Sequence, residues 1–239
     1  MARDTDQDWI EYGEFEPYYG VLTHERFLRA NLTPEILEEF WQTGRDDVRF
    51  IWNELRRLFG ERVPQRALDF GCGVGRLTRA IGELVPNVLG LDVSPDMVKE
   101  GNLHVADNVR LTNNLGDERA FDWINSFIVF QHIPPDRGYP LLEDLLSRAD
   151  DTCLLSLHFT FFKDARALND HGLDAIRFGT WDGEVIRPLI RSGDKRRMMM
   201  YDYDLTRIFA MLIAHRFTDV HLSHTDHAGA QGAFVFAAR

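Results

Sequence analysis

The chain has 239 residues, of which 44% are hydrophobic and 27% are charged, and its formal net charge is −11 at pH 7. This length suits one α/β domain with a sizeable core and is short for two full domains. The acidic balance argues against a nucleic-acid partner, because a protein that binds nucleic acid needs a basic face to neutralise phosphates.

The sequence predicts no membrane span, because no apolar run approaches the roughly 20 residues that a spanning helix needs. Its first residues are acidic and do not resemble a secretory signal. Cys72 and Cys153 have neither the number nor the spacing of a disulfide framework or a metal site. We therefore expect a reduced, cytoplasmic protein, whose oligomeric state the sequence leaves open.

Two helices are predicted ahead of the main body of the chain. The first begins at Thr33-Pro34, an N-cap followed by proline at the first helical position, and runs to about Trp41. Gly44 is expected to break it, and a second amphipathic helix is expected from Arg45 to a stop at Gly60.

Strands and helices then alternate. Strands are predicted at residues 67–70, 88–91, 109–111, 121–129 and 152–159, with helical spacing of apolar residues between them. A last helix is predicted to begin at Asp204, and strands at 218–223 and 233–237 form a hairpin. The predicted fold is α/β: a seven-stranded, mostly parallel, doubly wound sheet with an antiparallel C-terminal hairpin.

We predict a single domain with four parts. These are an N-terminal helical lid (1–60), a cofactor-binding core (61–159), an acceptor-cap insertion after strand five (160–200), and a final helix and hairpin (201–239). The insertion is long for a simple connection, and it combines aromatic residues such as Trp181 with many arginines. Either it binds a sugar or anionic acceptor, or it is a helical decoration with a solvated basic face.

The strongest motif is a strand, a glycine loop and a helix start at residues 67–76, ALDFGCGVGR. Glycines at Gly71, Gly73 and Gly75 let the backbone approach a ligand closely. A nicotinamide-dinucleotide loop reads G-x-G-x-x-G, and its third glycine would fall at Arg76, so a nicotinamide oxidoreductase is disfavoured. The observed G-x-G-x-G, with Asp69 two residues ahead, resembles the first motif of class I S-adenosylmethionine (SAM) methyltransferases.

That resemblance implies SAM as the cofactor and assigns roles along the core. Asp69 is expected near the amino-acid part of the cofactor, and Asp92, at the end of the second strand, is expected to bind the ribose hydroxyls. Val93 would lie against the adenine, and Asn114 would meet the adenine amino group, although Asn113 is also in register. The expected cofactor-binding residues in the core are Asp69, Gly71, Cys72, Gly73, Gly75, Asp92, Val93, Met97, Asn114, Leu115, Ser126 and Phe127.

The N-terminal lid would cover the cofactor and exclude water. Tyr19 and Arg45 are added to the cofactor-binding set, since a guanidinium can pair with the methionine carboxylate of SAM. The alternative for both residues is ordinary packing and surface charge.

Three histidines are candidates for the base that removes a proton from an acceptor. His132 follows the fourth strand, His158 ends the fifth and His227 follows the sixth, where Asp226 could orient it. Each has a structural alternative, as a residue bonded to backbone or placed in a turn. His224 and His227 also read as H-x-x-H, but a metal site needs a third ligand, so no metal is predicted.

Together these features predict SAM-dependent methyl transfer to a small-molecule or glycan-like acceptor, at oxygen. The alternatives left open are an N-methyltransferase acting on a metabolite and a SAM-binding protein without turnover.

Overall fold

The computed structural model describes residues 5–164, 166 and 200–239, together with the backbone of the strands at 179–181 and 184–186. The chain forms two compact units, Met1–Asn125 and Ser126–Arg239. Within the described residues, no helix combines the length and the apolar character that crossing a bilayer requires.

The first unit begins with helices. They are α1 (Thr5–Phe15), α2 (Pro17–Val21) and α3 (Pro34–Phe59), with short 3-10 turns at Glu25–Phe27 and Arg29–Asn31. The start of α3 is as predicted, because the Thr33 hydroxyl accepts the backbone N–H of Ile36. Its end is also as predicted, at Gly60 with φ 76°.

The predicted break at Gly44 is wrong, because α3 runs through it as one helix. A Cβ at this position would lie 2.2 Å from the backbone oxygen of Arg76. Gly44 is therefore the point where another backbone approaches α3, and the glycine serves packing and does not end the helix.

The α/β part of the first unit has a parallel sheet in the order β3-β2-β1-β4. Its elements are β1 (Ala67–Phe70), α4 (Arg76–Ile81), β2 (Val88–Leu91), α5 (Pro95–Gly101), β3 (Val109–Thr112) and β4 (Phe121–Ser126). All four residues of β1 are buried, as expected of a central strand. The strand predicted over 121–129 ends early, and Ile128 has φ 59°, which a strand does not allow.

The second unit contains a 3-10 turn and the rest of the strands. Its elements are the turn Phe130–His132, α6 (Pro135–Ser147), β5 (Ala149–Lys163), β6 (Gly179–Trp181), β7 (Glu184–Ile186), α7 (Leu205–Ala214), β8 (Asp219–His227) and β9 (Ala230–Ala238). The order β5-β9-β8 is antiparallel at both pairings. Together with the four parallel strands, these three complete the predicted seven-stranded, mostly parallel sheet.

Two strand ends differ from the prediction in ways that move site residues. β5 continues to Lys163, so His158 lies inside the strand and not at its end. β8 continues to His227, so His224 and His227 belong to the strand and do not follow it. The hairpin turn is tight, with Ala228 and Gly229 at φ 51° and 92°.

Most of the predicted acceptor cap lies outside the described residues. This includes Arg177, Phe178, Arg187, Arg191, Lys195, Arg196, Arg197, Met198 and Met199. The described part of this region contains the two-stranded hairpin β6-β7. The four-part division of the chain stays a prediction.

Candidate functional site

The glycine loop after β1 needs left-handed backbone at three positions. Gly71, Gly73 and Gly75 have φ of 74°, 54° and 83°, a region that residues with a Cβ rarely adopt. The N–H groups of Gly71 and Cys72 both donate to the carbonyl of Leu91, at 2.8 and 3.0 Å. The loop is thereby fixed against the end of β2, which also carries Asp92.

Asp92 is held by the backbone on both sides of its carboxylate. Its Oδ2 accepts the N–H of Gly73 at 2.8 Å, and its Oδ1 accepts the N–H of Ser94 at 2.9 Å. Burial is the main cause that raises the Asp92 pKa to about 6, although the two backbone hydrogen bonds lower it. A carboxylate offers about four lone-pair sites, so both oxygens keep capacity for a further donor.

Asp69 lies beneath the loop, with 3% of its surface exposed. Its carboxylate accepts the Thr78 hydroxyl at 2.6 Å and the Asn125 amide at 2.8 Å. Burial raises its pKa, against the effect of these hydrogen bonds. Asp69 thus joins β1, α4 and β4, and its contact with the amino-acid part of a cofactor stays a prediction.

Cys72 directs its side chain into the protein. Its Sγ donates to the Gly73 carbonyl at 3.5 Å, and a Cβ at Gly90 would lie 2.9 Å from the same sulfur. Burial raises the pKa of this thiol well above its usual value. In this position the thiol stays protonated and is not a nucleophile.

The next predicted residues differ in exposure. Val93 is 40% exposed, which leaves its side chain available to a flat ligand, whereas Met97 is 1% exposed. Leu115 is buried, and exposed Asn114 uses its Oδ1 to accept the N–H of Gly116 at 2.9 Å. The same oxygen retains a second lone pair for a donor such as an adenine amino group.

The N-terminal helices lie directly on the glycine loop. A Cβ at Gly73 would lie 2.5 Å from the Val21 side chain, and one at Gly13 would lie 1.9 Å from the Ser94 hydroxyl. The described helices therefore cover the loop, as an N-terminal lid would. No local sequence signal pointed to Val21.

Tyr18 anchors this cover to α5. Its hydroxyl donates to Glu100 at 2.8 Å and lies 3.2 Å from Nε2 of His104. Its ring packs edge-on against Phe40 and Trp41 in a buried aromatic cluster. Burial and the hydrogen bond to Glu100 raise the pKa of Tyr18, so the phenol stays protonated.

The two predicted lid contacts with the cofactor stay predictions. Tyr19 is half-buried. The Arg45 guanidinium forms an ion pair with Glu38 and donates to Gln42 at 2.9 Å, both on its own helix.

In the second unit, His158 is fully buried among rings. Phe127, His227 and Phe234 have ring centroids 5.4, 5.3 and 5.3 Å from it. Its Nε2 lies 2.8 Å from the Thr225 hydroxyl. Burial, and to a lesser degree His227, lowers the pKa of His158 to about 3, so this imidazole is neutral at physiological pH.

His227 is the exposed neighbour of His158. Its ring also lies 6.0 Å from that of Phe127, which stacks on Phe234 at 4.8 Å. The structure thus brings together three predicted residues, His158, His227 and Phe127. Ser126, next to Phe127, is fully buried.

His132 is 7% exposed in the 3-10 turn after β4. Its Nε2 lies 3.1 Å from Nε2 of Gln131. Because an amide nitrogen only donates, the imidazole nitrogen accepts this hydrogen bond. This hydrogen bond gives His132 a polar partner inside the second unit.

The predicted orientation of His227 by Asp226 is wrong. The Asp226 carboxylate accepts the N–H of Gly229 at 2.9 Å and pairs with Arg166. These two contacts, the backbone bond first, lower the Asp226 pKa to about 2. Adjacent residues of a strand point to opposite faces, which keeps Asp226 away from the His227 ring. By the same rule, His224 faces Gln231, at 2.7 Å, and not the cluster around His158.

Sequence reasoning missed Thr225, Gly232 and Gln131. A Cβ at Gly232 would lie 2.8 Å from both Nε2 of His158 and the Thr225 hydroxyl, so only glycine leaves room for their hydrogen bond. Strand pairing brings these residues together, and no local pattern indicates it. Gln131 directly precedes His132, and a neutral amide carries no local signal of a proton-transfer role.

Residues 68–153 match the family described as a methyltransferase domain. A ubiquinone biosynthesis O-methyltransferase from Idiomarina loihiensis is 31% identical over 98 residues, which are 37% of this chain and 39% of that protein. A juvenile hormone acid O-methyltransferase from Bombyx mori is 27% identical over 139 residues, 52% of this chain and 50% of that protein. The chain thus spans half or less of the length of these curated relatives.

The fold is shared over a greater length. The structure of magnesium protoporphyrin IX methyltransferase from Synechocystis PCC 6803 with bound SAM has a TM-score of 0.61 and 18% sequence identity, and the match covers 100% of this chain and 98% of that one. The chain thus contains a segment, residues 68–153, that matches a methyltransferase domain, within a fold that it shares with a SAM-bound methyltransferase of known structure.

Proposed function

We propose that the protein binds SAM and transfers its methyl group to an oxygen of a small-molecule or glycan-like acceptor. The observation that carries the proposal is the glycine loop joined to Asp92 by the Gly73 hydrogen bond. The names of the two relatives, both O-methyltransferases, support oxygen as the receiving atom.

The first unit has residues that fit this cofactor. Asp92 retains lone pairs for the two ribose hydroxyls, and exposed Val93 offers an apolar surface to the adenine. The glycines of the loop leave room that a Cβ would fill. The cofactor, when bound, supplies a methyl group on a sulfonium, which is activated for in-line displacement.

The histidines of the second unit differ in their fitness as a base. A hydroxyl acceptor must lose its proton as the new oxygen–carbon bond forms and the carbon–sulfur bond breaks. His158, with a pKa of about 3, holds a proton poorly. His227 is exposed at the end of β8, can take the proton on its imidazole and can pass it to solvent. We assign the base to His227, with His158 as the ring that positions it.

The cofactor is tested first by calorimetric titration with SAM and S-adenosylhomocysteine. We expect micromolar binding to the wild type, at least a tenfold loss (about 1.4 kcal/mol) in Asp92→Ala, and no loss in Asp96→Ala, whose carboxylate is exposed on α5. If the wild type bound neither compound, the proposed function would be wrong.

Turnover is tested by formation of S-adenosylhomocysteine in the presence of hydroxylated acceptors. We expect His227→Ala to lower the rate by about 10²-fold or more, and His158→Asn to lower it less. An unchanged rate in His132→Ala, His158→Asn and His227→Ala alike would remove the histidines from catalysis. That result would favour direct loss of the acceptor's proton to solvent.

A further inference from the structure

Gln131 has a buried side-chain amide, and only its nitrogen forms a hydrogen bond within the described residues. The side chain is 6% exposed, and its Nε2 donates to Nε2 of His132. Its Oε1 is fully buried and has no hydrogen-bond partner among the described residues. A buried polar atom of this kind is rare in native proteins and calls for a partner.

His158 has the same property. Its Nε2 is paired with the Thr225 hydroxyl, and its Nδ1 is fully buried without a partner in the described part of the chain. Buried N–H groups without a partner are rarer than acceptors that lack one. This assigns the proton to Nε2, which donates to Thr225, and leaves a bare lone pair on Nδ1.

Two hydrogen bonds connect the surroundings of these atoms. Thr160 lies two residues after His158, on the same face of β5, and its hydroxyl donates to the Tyr201 carbonyl at 2.6 Å. The N–H of Tyr201 donates in turn to the Gln131 carbonyl at 2.6 Å. Gln131 is therefore linked through Tyr201 and Thr160 to the strand that carries His158, whose ring lies 5.4 Å from that of Phe127.

Oε1 of Gln131 and Nδ1 of His158 are both hydrogen-bond acceptors, and this limits the kind of ligand that could pair with them. A ligand that satisfies them must bring hydrogen-bond donors. A carboxylate or phosphate would set its own lone pairs against theirs, and the neutral His158 ring offers no compensating charge.

We propose that Gln131 and His158 form the part of the acceptor site that recognises donors, so that the enzyme selects a neutral hydroxylated molecule over an anionic one. This inference rests on the proposed function for its role in methyl transfer. Catalysis itself remains with His227, and Gln131 and His158 determine which acceptor is held.

The test compares three probes on protein saturated with S-adenosylhomocysteine. Catechol and methyl β-glucopyranoside present neutral hydroxyls, on an aromatic ring and on a sugar, and benzoate presents a carboxylate on a matched ring. Binding is followed by ligand-observed NMR. We expect at least one hydroxylated probe to bind at least about tenfold more tightly than benzoate. If catechol binds more tightly than methyl β-glucopyranoside, the acceptor is aromatic, and the reverse order indicates a sugar.

The variant Gln131→Met keeps the volume and removes the amide acceptor. We expect about tenfold weaker binding of the preferred hydroxylated probe, with unchanged affinity for S-adenosylhomocysteine. Gln65→Met, at an exposed site of the first unit, is the matched control and should leave both affinities unchanged.

The outcomes separate this inference from the proposed function. If the wild type did not bind S-adenosylhomocysteine, the proposed function would be contradicted. If the cofactor product binds normally, the inference is overturned by preference for benzoate, by binding of none of the three probes, or by a Gln131→Met variant that binds like the wild type.

Discussion

The Thr225 hydroxyl lies 2.8 Å from Nε2 of His158, and this hydrogen bond crosses an intervening strand. His158 is on β5 and Thr225 on β8, with β9 between them. The bond passes over Gly232 of β9, which pairs with Thr225 on one side and with Thr160 on the other. Because Gly232 has no side chain, Thr225 can form a hydrogen bond with the buried His158 imidazole from two strands away.

Gly232→Ala should therefore destabilise the protein. The new Cβ would meet Nε2 of His158, the Thr225 hydroxyl and a backbone oxygen, each at 2.8 Å. We expect the free energy of unfolding, measured by denaturant titration, to fall by about 1–3 kcal/mol. Gly60→Ala, where no atom lies within 4 Å, introduces no crowding, so any loss of stability in that variant comes from positive φ, which Gly232 does not have. If Gly232→Ala were as stable as the wild type, the new Cβ would not crowd His158 and Thr225 as the distances indicate.

The neutral state of His158 predicts an acid-sensitive fold. Its pKa falls from 6.5 to about 3 on folding, so below pH 6.5 the unfolded chain binds a proton that the folded protein does not. Stability from this group is present above pH 6.5 and is lost as the pH falls towards 3, by on the order of 1 kcal/mol per pH unit. Urea titrations between pH 4 and 8 should show a shallower decline in His158→Asn. Equal slopes in both proteins would refute the assignment.

The raised pKa of Asp92 predicts that cofactor binding depends on pH. Burial raises its pKa to about 6, so the carboxylate that accepts ribose hydroxyls is lost as the pH falls below 6. We expect the SAM dissociation constant to rise by up to about tenfold per pH unit below 6 and to be constant above 7. Calorimetry at pH 5, 6, 7 and 8 measures this. Asp92→Asn should bind weakly with little pH dependence, and a pH-independent wild type would count against a ribose contact at Asp92.

Tyr18 and Tyr19 provide a paired test of the N-terminal lid. Tyr18→Phe removes the hydroxyl that donates to Glu100, and we expect unfolding to become easier by about 1 kcal/mol and SAM to bind several-fold more weakly. Tyr19→Phe should leave stability unchanged, so that any loss of SAM affinity reports contact with the cofactor. If Tyr18→Phe altered neither quantity, Tyr18 would not anchor the lid.

Lys163 and Asp202 form a buried ion pair at 2.7 Å, with side chains 7% and 1% exposed. Asp202→Asn alone should lower the free energy of unfolding by about 3 kcal/mol or more, because it leaves a buried ammonium without its carboxylate. The double variant Lys163→Met/Asp202→Leu should recover much of that loss, since no uncompensated charge remains. Additive losses in the double variant would indicate that the two charges act independently.

The sequence alone determined the features that arise within short stretches of chain. The G-x-G-x-G loop, the helix starts at Thr33 and Asp204, and the alternation of strands and helices each depend on residues a few positions apart. Local rules of backbone geometry and hydrogen bonding suffice for these. They were enough to predict the seven-stranded fold, the methyltransferase-domain match and the position of Asp92 at the end of β2.

Only the tertiary structure decided what distant residues do to one another. Gly44 lies inside a helix at the point where the Arg76 backbone approaches it, although its local preference is to end one. Asp226 pairs with Arg166, 60 positions away, and not with its neighbour His227. His158 is neutral because strands far along the chain bury it. Burial and pairing depend on which elements meet, and a local pattern does not contain that information.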